Sequence, residues 1–164
     1  MNLLQIALTL STLLCSLVAG FVLAFAIVVM PGIRSLNDHD FLQAFKVIDR
    51  VIQNNQPVFI LVWLGSILAL VTVTLMGFFQ LDGVNRLLLG IAMAVYLLGV
   101  QLPTFTINVP LNNQLQLQTL DTMTDLALQE ARMNFEPRWM RWNTFRTVFA
   151  TLTSALLIIL VFEL

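Results

Sequence analysis

The stretch LLQIALTLSTLLCSLVAGFVLAFAIVVM, residues 3–30, contains no Asp, Glu, Lys or Arg. About 20 residues of helix cross the hydrocarbon core of a bilayer, so this run is long and apolar enough to span it. Residues 57–79, 87–107 and 144–162 read the same way, each nearly free of charge. Backbone inside lipid must satisfy its own hydrogen bonds, which selects helices. The expected fold class is therefore all-α: an integral membrane four-helix bundle in a single membrane-embedded helical domain, residues 1–164.

Composition points the same way. The chain is 59% hydrophobic and 10% charged, against about 25% charged in soluble domains, too little charge to cover a water-exposed globule. A net charge of −1 provides no basic footprint for nucleic acid and no polybasic tail for anionic lipid headgroups. Membrane lipid is the expected partner. Cys15 is the only cysteine, which excludes an internal disulfide and reads as a small packing residue. No Lys or Arg precedes the first apolar run, and the run outlasts the usual core of about 7–15 residues in a signal peptide. Ala19-Gly20 is thus expected to be a packing position within a retained first span.

The connections carry their own signals. Pro31-Gly32 interrupts the first span, and SLNDHD (35–40) offers Asn37, Asp38 or Asp40 as a helix cap. Phe41, Ala44, Phe45, Ile48, Val51 and Ile52 recur at helical spacing, with Lys46, Asp49, Arg50 and Gln53 towards the other side. This additional amphipathic segment is too short to span and is expected to lie at the interface or pack on the bundle. Asn54-Asn55-Gln56-Pro57 and Asp82-Gly83 read as turns, the latter making spans two and three antiparallel neighbours. LNNQLQLQT (111–119) has poor helical phasing and receives no assignment. Residues 121–133 favour helix, and residues 136–147 lead into span four as one continuous rod.

Orientation follows from Lys and Arg placement. The first and third connections hold Arg34, Lys46, Arg50, Arg132, Arg138, Arg141 and Arg146, whereas the opposite side holds Arg86. This predicts a multi-pass cell-membrane protein, in the inner membrane if bacterial, with both termini non-cytoplasmic. Small residues recur at four-residue spacing as Thr12/Ser16/Gly20, Gly90/Ala94 and Thr147/Thr151/Ala155. That period predicts close helix approach and leaves a homo-oligomer open.

Side chains able to do chemistry gather near the basic end. Asn108 and Asn112 flank Pro110, and Trp139, Trp142, Asn143 and Arg146 share one helical face. Two readings stand. In one, the tryptophans form an interfacial belt, Arg146 reaches the headgroups and the asparagines cap helix ends. In the other, the group lines a pocket where an aromatic ligand stacks on indole and hydrogen-bonds amides or Arg146. His39, between Asp38 and Asp40, is either a solvated loop residue or a base. It lacks a second histidine for metal ligation, and no glycine-rich phosphate loop, CxxCH or HExxH motif demands a cofactor. Span interiors without ionisable groups argue against proton-coupled transport, and four spans leave little room for paired carrier repeats.

GFVLAFAIVVMPGI (20–33), FLQAFKVIDRVIQNNQPVF (41–59), INVPLNNQL (107–115) and WMRWNTFR (139–146) occur in this order. Together they resemble the anthrone-oxygenase-like family of small membrane proteins, formerly a domain of unknown function, across nearly the whole chain. N-x-P-x-N and W-x-x-W-N-x-x-R are the most specific parts. The resemblance implies an oxygenase-like protein acting on a hydrophobic, aromatic small molecule, with fungal members implicated in oxidising anthrones to anthraquinones. It implies catalytic roles for His39 as base and Arg146 at the substrate oxyanion. Asn143 and Asn112 would assist Arg146, Asn108 would join them at the substrate, and Trp139 and Trp142 would flank its rings. The alternative is a non-enzymatic membrane protein that binds a lipid-like ligand or stabilises a partner complex.

Overall fold

The computed structural model describes residues 2–164. Among them, four helices are long and apolar enough to cross a membrane: α1 (Leu3–Arg34), α3 (Pro57–Gln80), α4 (Gly83–Gln116) and α5 (Asp125–Glu163). Between the first two lies α2 (Asp38–Gln53). The four long helices close a ring in which α1 touches α3 and α5, while α4 touches α5 and α3. Chain ends meet at one pole, where Gln5 Nε2 donates to the Leu164 carbonyl at 2.5 Å. The protein is an all-α, multi-pass membrane bundle.

Local chemistry sets the boundaries. Asn37 caps α2 by accepting from the Asp40 N–H at 2.9 Å, and Thr124 caps α5 through the Ala127 N–H. Asn55 takes a left-handed φ of 59° in the turn before Pro57, a conformation asparagine tolerates better than most residues. At 39 residues, α5 is about 58 Å long, so its first turns extend beyond the membrane. They carry a second small core.

Two apolar cores divide the molecule. The membrane core includes Leu8, Cys15, Val18, Leu70, Tyr96 and Leu157. The cap joins Phe41, Phe45 and Leu115 to Leu128, Phe135 and Trp139. Large apolar side chains such as Leu61, Leu68, Leu98 and Phe105 point outward, the distribution expected where lipid is the solvent.

The close-packed faces differ from the small-residue stripes. Gly20, Gly90 and Ala94 face outward, as do Thr151 and Ala155, and an added Cβ at Gly20 or Gly90 meets nothing within 4 Å. Tight approach falls instead at Gly99, where a Cβ would lie 2.6 Å from that of Phe149 on α5. Ser11, Cys15 and Ala19 form the buried small-residue row of α1. A four-residue period occurs on every face of such helices, so the period alone does not choose the face.

Candidate functional site

Three prolines shape the helices around the site. Pro31, Pro103 and Pro110 lack the N–H that an α-helix requires of them. Wide turns span Phe25–Val29, Leu97–Gln101 and Thr104–Asn108, and each closes at the residue immediately before a proline. Met30 N–H reaches the Phe25 carbonyl, Leu102 reaches Leu97 and Val109 reaches Thr104. Bonding five residues back opens the ring and makes room for the pyrrolidine. These widened segments turn Phe25, Thr104 and Asn108 towards a common hollow.

The hollow is about 160 Å³ and lies between the two cores. Phe21, Phe59 and Trp63 form one aromatic group, with Phe59 and Trp63 stacked at 5.3 Å. Phe25, Phe45 and Trp139 form another, their rings 5.6 and 5.2 Å from the indole. The lining is thus rich in flat apolar surface, the kind that ring systems pack against.

A polar layer runs along the same hollow. Arg146 is 5% exposed; its Nη1 donates to Thr104 Oγ1 at 3.0 Å and its Nη2 to Asn143 Oδ1 at 2.9 Å. Among the described residues no carboxylate pairs with it, and its Nε has no partner. Asn143, fully buried, donates to the Val22 carbonyl at 3.0 Å. Asn108 donates to the Trp139 carbonyl at 3.3 Å, leaving its own Oδ1 unpaired.

At the far end of this layer Asp49 from α2 is 3% exposed. It accepts from Asn112 Nδ2 at 2.7 Å, Gln53 Nε2 at 2.7 Å and Gln116 Nε2 at 2.9 Å. Asn112 in turn accepts from Trp139 Nε1 at 2.8 Å. The unassigned stretch LNNQLQLQT therefore has an occupation: its helical part offers amides to the polar face of α2. Lys46 is held in the same seam by the Gln118 carbonyl, and burial pulls its ammonium below the usual lysine range. Val47 and Val51 are turned outward.

Of the residues singled out from sequence, Asn108, Asn112, Trp139, Asn143 and Arg146 line the hollow. His39 does not. Its ring lies at the water-facing surface, bridging Asp40 and Asp121 at 3.1 Å each, and the Asp40 and then the Asp121 hydrogen bond raise its pKa above 6.5. Trp142 lies outside the lining and packs edge-on to Phe145 at 5.3 Å. Sequence reasoning missed Asp49, Thr104 and the aromatic residues Phe21, Phe25, Phe45, Phe59 and Trp63 as members of the group. The only sequence trace of Asp49 is its place one and two helical turns after Phe45 and Phe41, which by itself does not separate it from a water-facing residue.

A second opening adjoins the first and shares part of its wall. A groove of about 450 Å³ shares Phe21, Ile52, Phe59 and Trp63 with the hollow and continues along Leu17, Val58 and Val62. It is almost entirely apolar. The described residues include no group of three or more His, Cys, Asp or Glu side chains gathered as metal ligands.

Fold and hollow together define a class: a four-span helical membrane protein with a buried polar layer facing an aromatic-walled cavity. The family model described as anthrone oxygenase matches residues 41–156, and the chain belongs to that family. The match runs from the start of α2 into the last span and includes every polar residue of the layer. No curated protein and no solved structure matches the chain.

Proposed function

We propose that the protein is a membrane oxygenase that takes a flat aromatic ketone of the anthrone type from the bilayer and oxidises its benzylic methylene to a carbonyl. Family membership and the membrane-spanning fold support the oxygenase-like class. The reaction balances with one molecule of oxygen per substrate. Both methylene hydrogens leave in water, one oxygen atom completes that water, and the other becomes the new carbonyl. Removal of the first benzylic proton gives an electron-rich anion that itself reacts with oxygen. The protein's task is then to hold the ketone, stabilise the charge developing on its oxygen and exclude competing reactions.

Arg146 carries this reading. It is a buried guanidinium beside an aromatic-walled hollow, with its Nε–H unpartnered and no counter-ion among the described residues. A cation so placed is costly in lipid and becomes favourable when an oxyanion completes its shell. Thr104 and Asn143 orient it, and Asn112 and Asn108 supply further amide groups along the cavity. The apolar groove gives a substrate dissolved in lipid a lateral way in. His39 is too far removed, at a hydrated surface, to belong to this site, and Trp142 supports the helix from outside. The Lys/Arg asymmetry supports placing this end of the bundle in the cytoplasm, with both termini across the cell membrane.

The same groove favours a second reading, in which a lipid-like ligand is bound without reaction. Oxygen uptake separates the two. Purified protein in detergent or liposomes, given anthrone, is expected to consume oxygen well above the protein-free rate. Saturable binding with uptake no faster than that control supports the second reading and overturns the first.

A further inference from the structure

We propose that Asp49 is the base that removes the benzylic proton, acting across the cavity from Arg146. The inference rests on the oxygenase reading and adds the group which that reading lacks. His39, the only histidine, is not at the cavity. Asp49 is the one carboxylate among the described lining residues.

Its surroundings suit the task. Three amide N–H groups, from Asn112, Gln53 and Gln116, point at its two oxygens. A carboxylate offers about four acceptor positions, and the pattern here fills two on Oδ2 and one on Oδ1. One position on Oδ1 stays open. Donors on three sides fix the carboxylate in place and leave that one oxygen position for a ligand. All three partners are neutral amides, and among the described residues no Lys, Arg or His pairs with it. A buried carboxylate that only stabilised the fold would be expected to face a cation.

Asp49 and Arg146 are oppositely charged, line one cavity and do not touch. Both are anchored on α4, at Asn112 and Thr104, on either side of the widened turn Thr104–Asn108. Held by different partners, they form no ion pair, and the hollow they both line can take a ligand. A six-membered ring with a carbonyl and a methylene at opposite corners, plus a contact length at each end, spans on the order of 10 Å. The cavity therefore suits a ketone whose acidic C–H lies across the ring from its oxygen. Asp49 Oδ1 takes the proton and the C–H bond breaks. The electron pair passes through the ring to the carbonyl oxygen, where Arg146 meets the new negative charge. Molecular oxygen then attacks the carbon that lost the proton.

Proton removal precedes oxygen chemistry, so it is measurable without oxygen. Anthrone is incubated anaerobically with the purified full-length protein in deuterated buffer, and deuterium entering the methylene is followed by NMR. Wild type is expected to accelerate exchange above the protein-free rate. D49N, matched in volume, is expected to lose at least about 100-fold of that acceleration, the usual range for a general base, while binding anthraquinone within about threefold of wild type. D49E, which keeps a carboxylate, is expected to retain measurable exchange. D49N exchange within threefold of wild type overturns Asp49 as the base and leaves the oxygenase reading standing. Wild type with neither exchange nor oxygen uptake overturns both. Should D49N not be recovered folded, infrared difference spectra of wild type carrying labelled aspartate decide the matter. Protonation of an aspartate on anaerobic anthrone binding supports the assignment, and unchanged aspartate bands overturn it.

Discussion

A guanidinium held in a low-dielectric layer by one hydroxyl and one amide oxygen is short of partners, and Arg146 is in that position. Desolvation of its charge is repaid only when a strong acceptor arrives. Arg146→Gln keeps a hydrogen-bonding side chain and removes the charge. It is expected to lower anthrone-dependent oxygen uptake by about 100- to 1,000-fold, the scale seen when one oxyanion donor is lost. Undiminished turnover by a correctly inserted variant would remove Arg146 from the mechanism. His39 makes a separate prediction. Hydrogen bonds to Asp40 and Asp121 raise its folded-state pKa above 6.5, so imidazolium favours the folded state. That contribution is complete below 6.5 and is lost as pH rises through the higher folded value. Thermal unfolding in detergent should show a small loss of stability on crossing this window in wild type, and none in His39→Ala. Oxygen uptake by His39→Ala should match wild type, because the ring touches Asp121 at the surface rather than the cavity.

At the scale of helices, α4 and α5 are expected to be the pair least tolerant of added volume. A Cβ at Gly99 would lie 2.5 Å from Phe149 Cγ, whereas one at Gly90 meets nothing within 4 Å. Gly99→Ala should therefore destabilise by about 1–3 kcal/mol through overpacking, and Gly90→Ala should be neutral or slightly stabilising. Equal melting temperatures for the two variants would contradict the close approach. The contrast also shows what the chain discloses before folding. Span positions and the continuous α5 follow from hydropathy and length, since these depend on each segment alone. Asn108, Asn112, Trp139, Asn143 and Arg146 were legible as a group because proline spacing and helical periodicity put them on adjoining faces. Asp49 was not. Its helix reads as amphipathic, and a polar face is ordinarily assigned to water. Here Lys46 and Asp49 turn inward because the end of α4 presents Asn112 and Gln116, and the turn after it the Gln118 carbonyl. Neither segment alone reveals that the other will satisfy it. The aromatic walls stayed hidden for a related reason: phenylalanines in spans are ubiquitous, and only the relative rotation of α1, α2 and α3 selects which of them meet.

The whole molecule divides into a bundle with an apolar exterior at one pole and a polar-surfaced cap at the other, with the cavity where they join. Arg34 and Arg132 both bond Glu136, at 2.6 and 2.8 Å, and Arg132 also holds Asp38 at 3.1 Å. These pairs tie the end of α1 and the start of α2 to the protruding part of α5, so the cap keeps α2 and its carboxylate seated over the spans. Even span number puts both termini at one pole, away from the basic connections. A cysteine introduced beside Leu164 should react with an impermeant thiol reagent added outside intact cells, and one beside Gln53 should react only after permeabilisation. The reverse pattern would invert the orientation without altering the bundle. The central claim, that this bundle transfers one atom of molecular oxygen to the methylene of a ketone held at Arg146, is tested most directly by isotope. Anthrone is converted under heavy oxygen gas, and product formed above the protein-free control is analysed by mass spectrometry. One heavy oxygen atom in the new carbonyl is the predicted result; oxygen drawn from water, or no protein-dependent product, would contradict it.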